Sequence, residues 1–258
     1  MNAGTQVGSA GSVDHAPIGT GGAPCRRPDT RIARFIAEAL AGTRTVLNVG
    51  AGAGSYESAA RAVTAVAPSE SMRARRPARL TRAVDAVAED LPFADGEFDG
   101  AMTLFSVHQW SDVAAGLREM RRVTSGPVVV LTCDPKLVRD FWLHEYAPEV
   151  LDVEARRYPS VEDMAGALGG TGSIRTVPIP LDCTDGFNEA YYGRPELLLD
   201  PAARQACPAW SFIDDGVRGR FDERLRRDLE SGAWDERFGH LRTQETYEGS
   251  LVIVRATP

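Results

Sequence analysis

"VLNVGAGAGSYE", Val46 to Glu57, followed shortly by "VAPSESM", Val66 to Met72, decides how this chain is read. The β-branched run "TVLNVG" reads as a strand that ends among Gly50, Gly52 and Gly54. Glycines at such a strand end allow a tight turn and let a ligand approach the backbone, because no β-carbon intervenes. The residues after them predict a helix over 55–62, then a short strand "AVTAVA", then a second helix begun by Pro68 and Ser69. A nucleotide-like ligand received by such a turn calls for an acid at the close of the next strand. Ala67 stands there instead. A plain tight turn also accounts for the glycines, so the other strand ends have to decide.

Working outward, Ile32, Phe35, Ile36 and Leu40 recur at helical spacing between Pro28–Asp29, which suit a helix start, and Gly42, which suits its end. That predicts a first helix over 29–41. "FDGAMTLFSV" reads as a buried strand, and "SDVAAGLREMRRV" as an amphipathic helix with Val113, Leu117, Met120 and Val123 on one face. "GPVVVLTC" is the most strand-like run in the chain, and "SIRTVPIPLDC" and "GSLVIVRA" read as two later strands. Alternating strands and helices predict a doubly wound α/β fold with a mostly parallel sheet covered on both faces. Residues 1–25 are rich in glycine and small polar residues and are expected to be flexible. The ligand-binding core is expected over 26–136. Residues 137–258 of the same domain hold the remaining strands, with helices over 137–171 and 187–244 read as a cap on the ligand edge or as ordinary packing helices.

With 258 residues the chain can bury a large core. A net charge of −7 disfavours a nucleic-acid partner, since that binding is driven by clustered positive charge. The basic run "RARRPARLTR", Arg73 to Arg82, lacks interleaved aromatics and reads as a solvated surface. Cys25, Cys133, Cys183 and Cys207 are far apart in sequence, so no metal site or disulfide framework is expected and a reducing cytoplasm fits best. No apolar run approaches the length of a membrane-spanning helix, and the first residues lack a signal pattern. A small molecule is the expected partner. The oligomeric state is not readable.

Spacing separates two ligand classes. A dinucleotide fold needs glycine or alanine where Ser55 stands. The G-x-G-x-G arrangement, with "AEDLPFADGEFDGAM" some forty residues on and "SVHQW" after that strand, resembles the class I S-adenosylmethionine-dependent methyltransferases, particularly the broad small-molecule, type-11-like group. The resemblance covers 26–134 and implies a seven-stranded sheet with an antiparallel terminal strand, S-adenosyl-L-methionine as cofactor and methyl transfer to a small-molecule acceptor, such as in specialised metabolism. It also implies cofactor contacts from Gly50, Ala51, Gly52 and Gly54, from Asn48 where many relatives have aspartate, from Met72 on the adenine face, and from Leu104. Arg27, or Arg26, would meet the cofactor carboxylate. Ala67 replaces the acid that binds the ribose, with Ser69 or Glu70 as substitutes, and Val87 replaces an adenine-binding aspartate, leaving Ala88 and Glu89 to supply contacts. His108 falls between cofactor and acceptor, as a base or as a wall of the pocket. The two lost anchors also leave open a relative that has given up methyl transfer and serves as an auxiliary protein or catalyses another reaction.

Overall fold

The computed structural model describes residues 26–258; the expectation for 1–25 lies outside them. Asp29 accepts from the Arg31 N–H at 2.9 Å and caps helix α1, Thr30–Ala39, whose Ile32 and Ile36 are buried. Strands β1, Thr45–Val49, and β2, Ala62–Val66, pair in parallel. Ser69 caps the short helix α2, Glu70–Ala74. Then come strand β3, Gly100–Leu104, helix α3, Val113–Arg122, and strand β4, Val128–Cys133. Helices α4, Leu143–Tyr146, α5, Pro148–Arg157, and α6, Val161–Leu168, precede strand β5, Thr171–Thr176, and the two-residue strand β6, Ile179–Pro180. Helices α7, Pro201–Gln205, α8, Asp215–Ser231, and α9, Ala233–Phe238, lead to strand β7, Thr246–Tyr247, and the last strand, β8, Leu251–Thr257.

The main sheet runs β2-β1-β3-β4-β8-β5. Its first four strands are parallel, and β8 is antiparallel to both neighbours. The sheet therefore has six strands rather than seven. The missing edge strand survives as a single parallel bridge between Val66 and Val84, held by Val84 N–H to Ala65 O at 2.8 Å and Ala67 N–H to Val84 O at 3.1 Å. The long strand expected over 173–183 is divided between β5 and β6, and β6 pairs with β7 in a separate small ladder.

The strands' period of two sends alternate side chains to two cores. Val129 and Leu131 of β4 and Leu251 and Ile253 of β8 face α1, α4, α5 and the helices of 187–244. Val128, Val130, Val252 and Val254 face α3 and α6. Helix α6 thus packs with α3 on one face of the sheet, whereas α4, α5 and the 187–244 helices, called the cap below, share the core on the other face with α1.

The larger departure is at the glycines. Residues 50–61 form turns, and the helix expected over 55–62 is absent. The crossover between Val49 and Ala62 is made by turns. Gly54 at φ 90° and Tyr56 at φ 64° turn the chain through the left-handed region.

Candidate active site

Gly50, Gly52 and Gly54 all have positive φ, but they answer to different neighbours. A β-carbon on Gly50 would lie 1.9 Å from Ser106 Oγ, and one on Gly54 would lie 2.3 Å from Leu80 Cδ1. These two glycines are fixed by packing within the chain. A β-carbon on Gly52 would meet only the Met72 methyl, at 3.1 Å. Gly52 and Met72 therefore face each other in close contact, the methyl being the far end of a flexible side chain.

The helix missing after the glycines is replaced by an ion pair. Arg76 donates to both Glu57 carboxylate oxygens, at 3.0 and 2.8 Å, and to Gly52 O at 3.3 Å. The side chains of Arg76 and Glu57 are 4% and 2% exposed. Asn48 Nδ2 donates to Glu57 Oε1 at 2.9 Å. This explains asparagine at that position, since an aspartate would put a second carboxylate against Glu57 and could donate nothing. Arg73 pairs with Asp85 at 2.9 Å and donates to Ala67 O at 2.7 Å. The basic run is thus not all solvated surface: Arg76, and to a large extent Arg73, turn inward to brace the loop.

The remaining sequence-predicted positions are less uniform. Ala51 is buried, and its N–H donates to Val66 O at 2.8 Å. Ala67 is buried and Val87 exposed, so neither presents a polar side chain. Ala88 is buried beneath α3. The Glu89 carboxylate accepts from Ser111 N–H and Oγ, both at 2.8 Å, and from Asp112 N–H at 3.0 Å. Burial pushes its pKa up, but these donors outweigh burial and hold it below the ordinary range. Ser69 is exposed and is occupied in capping α2. Leu104 is half-buried against the cap core. Arg27 is exposed, and its backbone N–H donates to Thr184 O at 3.2 Å. Its neighbour Arg26 instead pairs with Asp185 at 2.6 Å.

That Arg26–Asp185 pair organises the second half of the site. Tyr56 Oη donates to Asp185 Oδ2 at 2.7 Å, and the Arg26 guanidinium lies 5.2 Å from the centre of the Phe105 ring. Tyr56 and Phe105, at φ 52°, are the non-glycine residues with positive φ among the described residues, and both lean on this one pair. Such backbone costs about 1–3 kcal/mol each and persists only where surrounding contacts enforce it. Burial lowers the Arg26 pKa, but Asp185 outweighs it and holds the guanidinium charged. Burial, then Asp185, pushes the Tyr56 hydroxyl far above its usual range.

His108 is 8% exposed in the 3-10 turn Val107–Gln109, its ring edge-on to Tyr158 with centroids 5.0 Å apart. Above it the cap supplies groups that sequence patterns did not single out. Asn188 Nδ2 donates to Glu154 Oε2 at 2.6 Å, and Glu189 accepts from Ser250 N–H at 2.9 Å. Burial pushes the Glu189 carboxyl up to about 7. The only legible signal for these groups was the aromatic richness of the segment, which packing explains equally well. The concavity bounded by Gly42, Arg44, Asp99 and Gly126 opens at the opposite, amino-terminal edge of the sheet, away from all of them. Among the described residues no helix is long and apolar enough to cross a membrane, and no three His, Cys, Asp or Glu side chains group as metal ligands.

Set against known proteins, residues 47–128 match the family model described as a methyltransferase domain. An Escherichia coli K12 relative, "Uncharacterized protein YafE", is 45% identical over 60 residues, which is 22% of this chain and 29% of that protein. The match therefore spans less than a third of that relative's length. The crystal structure of a putative methyltransferase from an antibiotic biosynthesis pathway of Anabaena variabilis superposes with a TM-score of 0.85 at 25% identity, over 92% of this chain and 100% of that one. The cyclase SpnF shares the fold, with a TM-score of 0.51 at 18% identity over 88% of this chain and 79% of its own. With the methyltransferase domain matched over 47–128, the sheet order and the glycine turn at the end of β1, the chain has the fold of the class I methyltransferases and is similar to that family.

Proposed function

We propose that this protein transfers a methyl group from S-adenosyl-L-methionine to a small-molecule acceptor held beneath the cap. The observation that carries this reading is the turn at Gly52 at the end of β1, whose side-chain position meets only the far end of the flexible Met72 side chain, at 3.1 Å. The residues fit the cofactor through backbone more than through side chains: Gly50 to Gly54 offer the turn, Met72 an apolar face, and Ala88 and Glu89 backbone edges. Arg26, charged and held over Phe105, is better placed than Arg27 to meet a carboxylate. When bound, the cofactor supplies a methyl group already activated by its sulfonium charge. What remains for the chain is to hold the acceptor nucleophile in line and exclude water. Phe105, His108 and Tyr158 form the wall suited to that task. The pathway named for the Anabaena protein supports placing the acceptor in specialised metabolism, and the acidic surface supports a small molecule over nucleic acid.

Ala67 supports a second reading, a family member that has given up methyl transfer and acts as an auxiliary protein or catalyses another reaction; a cyclase shares this fold. Calorimetric titration with S-adenosylmethionine and S-adenosylhomocysteine, with NAD as control, separates the two. Binding of both sulfur ligands and not NAD supports methyl transfer, with thermal stabilisation of about 2.7 kcal/mol at a hundred times Kd. No binding at millimolar ligand overturns it. Ala67→Asp is expected to tighten S-adenosylhomocysteine binding by restoring an acceptor for the ribose hydroxyls, by about tenfold. An unchanged Kd would remove residue 67 from the site.

A further inference from the structure

Arg26, Glu154 and Tyr158 are half-buried and lie close enough to feel one another's charge. Phe105 and His108 adjoin this cluster: Phe105 lies under the Arg26 guanidinium and 5.7 Å from the Phe187 ring, and His108 packs edge-on against Tyr158.

Within this cluster Glu154 is held in an unusual way. Trp210 Nε1, which can only donate, lies 3.0 Å from Asn188 Oδ1. That contact fixes the amide so that its NH2 faces Glu154 Oε2, at 2.6 Å. A third group thus orients a second, which orients the carboxylate, the arrangement by which active sites aim a base. Among the described residues no cation stands within ion-pair distance of Glu154: Arg26 is taken by Asp185, and the Arg157 guanidinium lies 4.7 Å from the Phe212 ring centre. Charged and titratable groups face it from several elements. Arg157 on its own helix and Arg26 favour its ionised form, whereas Glu189 and the Cys133 thiol, together with Tyr158 and His108, complete the surroundings. Burial dominates and raises its pKa above the ordinary carboxylate range.

We propose that Glu154 is a catalytic residue, the proton acceptor for a phenol-type hydroxyl on an aromatic acceptor lying between Phe105 and Tyr158, with Asn188 and Trp210 as positioning residues. This rests on the methyl-transfer reading above. The step is a proton transfer without redox change: the acceptor O–H bond breaks, the proton bonds to a Glu154 carboxylate oxygen, and the electron pair stays on the acceptor oxygen as the nucleophile. A phenol, with a pKa of about 10, is within reach of such a base, whereas an alkyl alcohol is not.

The test uses 4-nitrophenol, whose phenolate form absorbs in the visible, added to the full-length protein with and without S-adenosylhomocysteine, one pH unit below the probe's own ionisation. Wild type is expected to show phenolate absorbance on binding together with a protonated-carboxyl infrared band. Glu154→Gln should lose both and bind the probe about tenfold more weakly. Trp210→Phe keeps a ring but frees the Asn188 amide, and should reduce the phenolate signal while leaving S-adenosylhomocysteine affinity unchanged, a pattern a merely structural role would not give. If the sulfur ligand binds but the probe does not, or behaves alike in wild type and Glu154→Gln, this assignment is overturned and the methyl-transfer reading stands. A Glu154-dependent phenolate signal in a protein that binds neither sulfur ligand keeps Glu154 as the proton acceptor and overturns methyl transfer.

Discussion

The two halves of the site, at the carboxyl ends of β1 and β2 and under the cap beyond β3 and β4, are built on opposite plans. At the β1–β2 corner the charged side chains are spent on one another: Arg76, Glu57 and Asn48 form a closed set, and the surface left for a ligand is backbone plus the Met72 methyl. Beyond β3 and β4, the half-buried Glu154, Tyr158 and Arg26 gather with the buried His108 in a cluster of side chains. A site of backbone tolerates loss of individual anchors, because each anchor contributes only about 1.5–3 kcal/mol. A site of side chains does not, since its chemistry resides in single groups.

This contrast predicts where substitutions act. Arg76→Met strands the Glu57 carboxylate in a buried site and is expected to destabilise the fold by about 3–5 kcal/mol in urea denaturation, with much of the loss recovered in the Arg76→Met, Glu57→Gln double variant. Equal losses in single and double variants would show that the pair does not act as a unit. Gly50→Ala comes next, at about 2–4 kcal/mol, because its methyl collides with Ser106 and sits at positive φ. Gly52→Ala, facing only the flexible Met72 methyl, should cost about 1–2 kcal/mol of stability yet weaken S-adenosylhomocysteine binding out of proportion. A reversed order would mean that Gly52, not Gly50, is the packing glycine.

The smallest effect ties the N-terminal helix to the same edge. Burial pushes the Asp29 carboxyl up, but hydrogen bonds from Arg31 and from Thr184 N–H outweigh it and hold the carboxyl at about 2. A depressed pKa in the folded state adds stability that is fully present above the unfolded value, about 3.9, and is lost as pH falls through 2. Asp29→Asn should therefore lower stability by about 1–2 kcal/mol at neutral pH, with the gap to wild type closing in acid. A gap that persists at pH 2 would assign the loss to packing.

How far the sequence could be read follows from the range of the forces involved. Strand alternation and helix periodicity are local, and they located β1, β3, β4, β8, α1 and α3 because each buries a face its own pattern defines. The helix expected over 55–62 is absent, and turns braced from outside that stretch, by Arg76 on Glu57, stand in its place. The seventh strand shrank to Val84 because an edge strand has a single neighbour to hold it. Arg76 read as surface because its partner lies nineteen residues away, at Glu57. Glu154 was not singled out at all, since its meaning comes from Asn188 and Trp210 on other elements.

The sequence by itself determined an α/β fold, the glycine turn at the end of β1 and the alanine at residue 67, all properties carried by residues close together in the chain. Only the tertiary structure decided which glycine meets just a flexible side chain, what replaced the missing helix, and which cap side chains meet over the sheet. Those outcomes depend on contacts between distant segments, and a buried charge or an oriented amide takes its role from a partner that the local sequence does not contain.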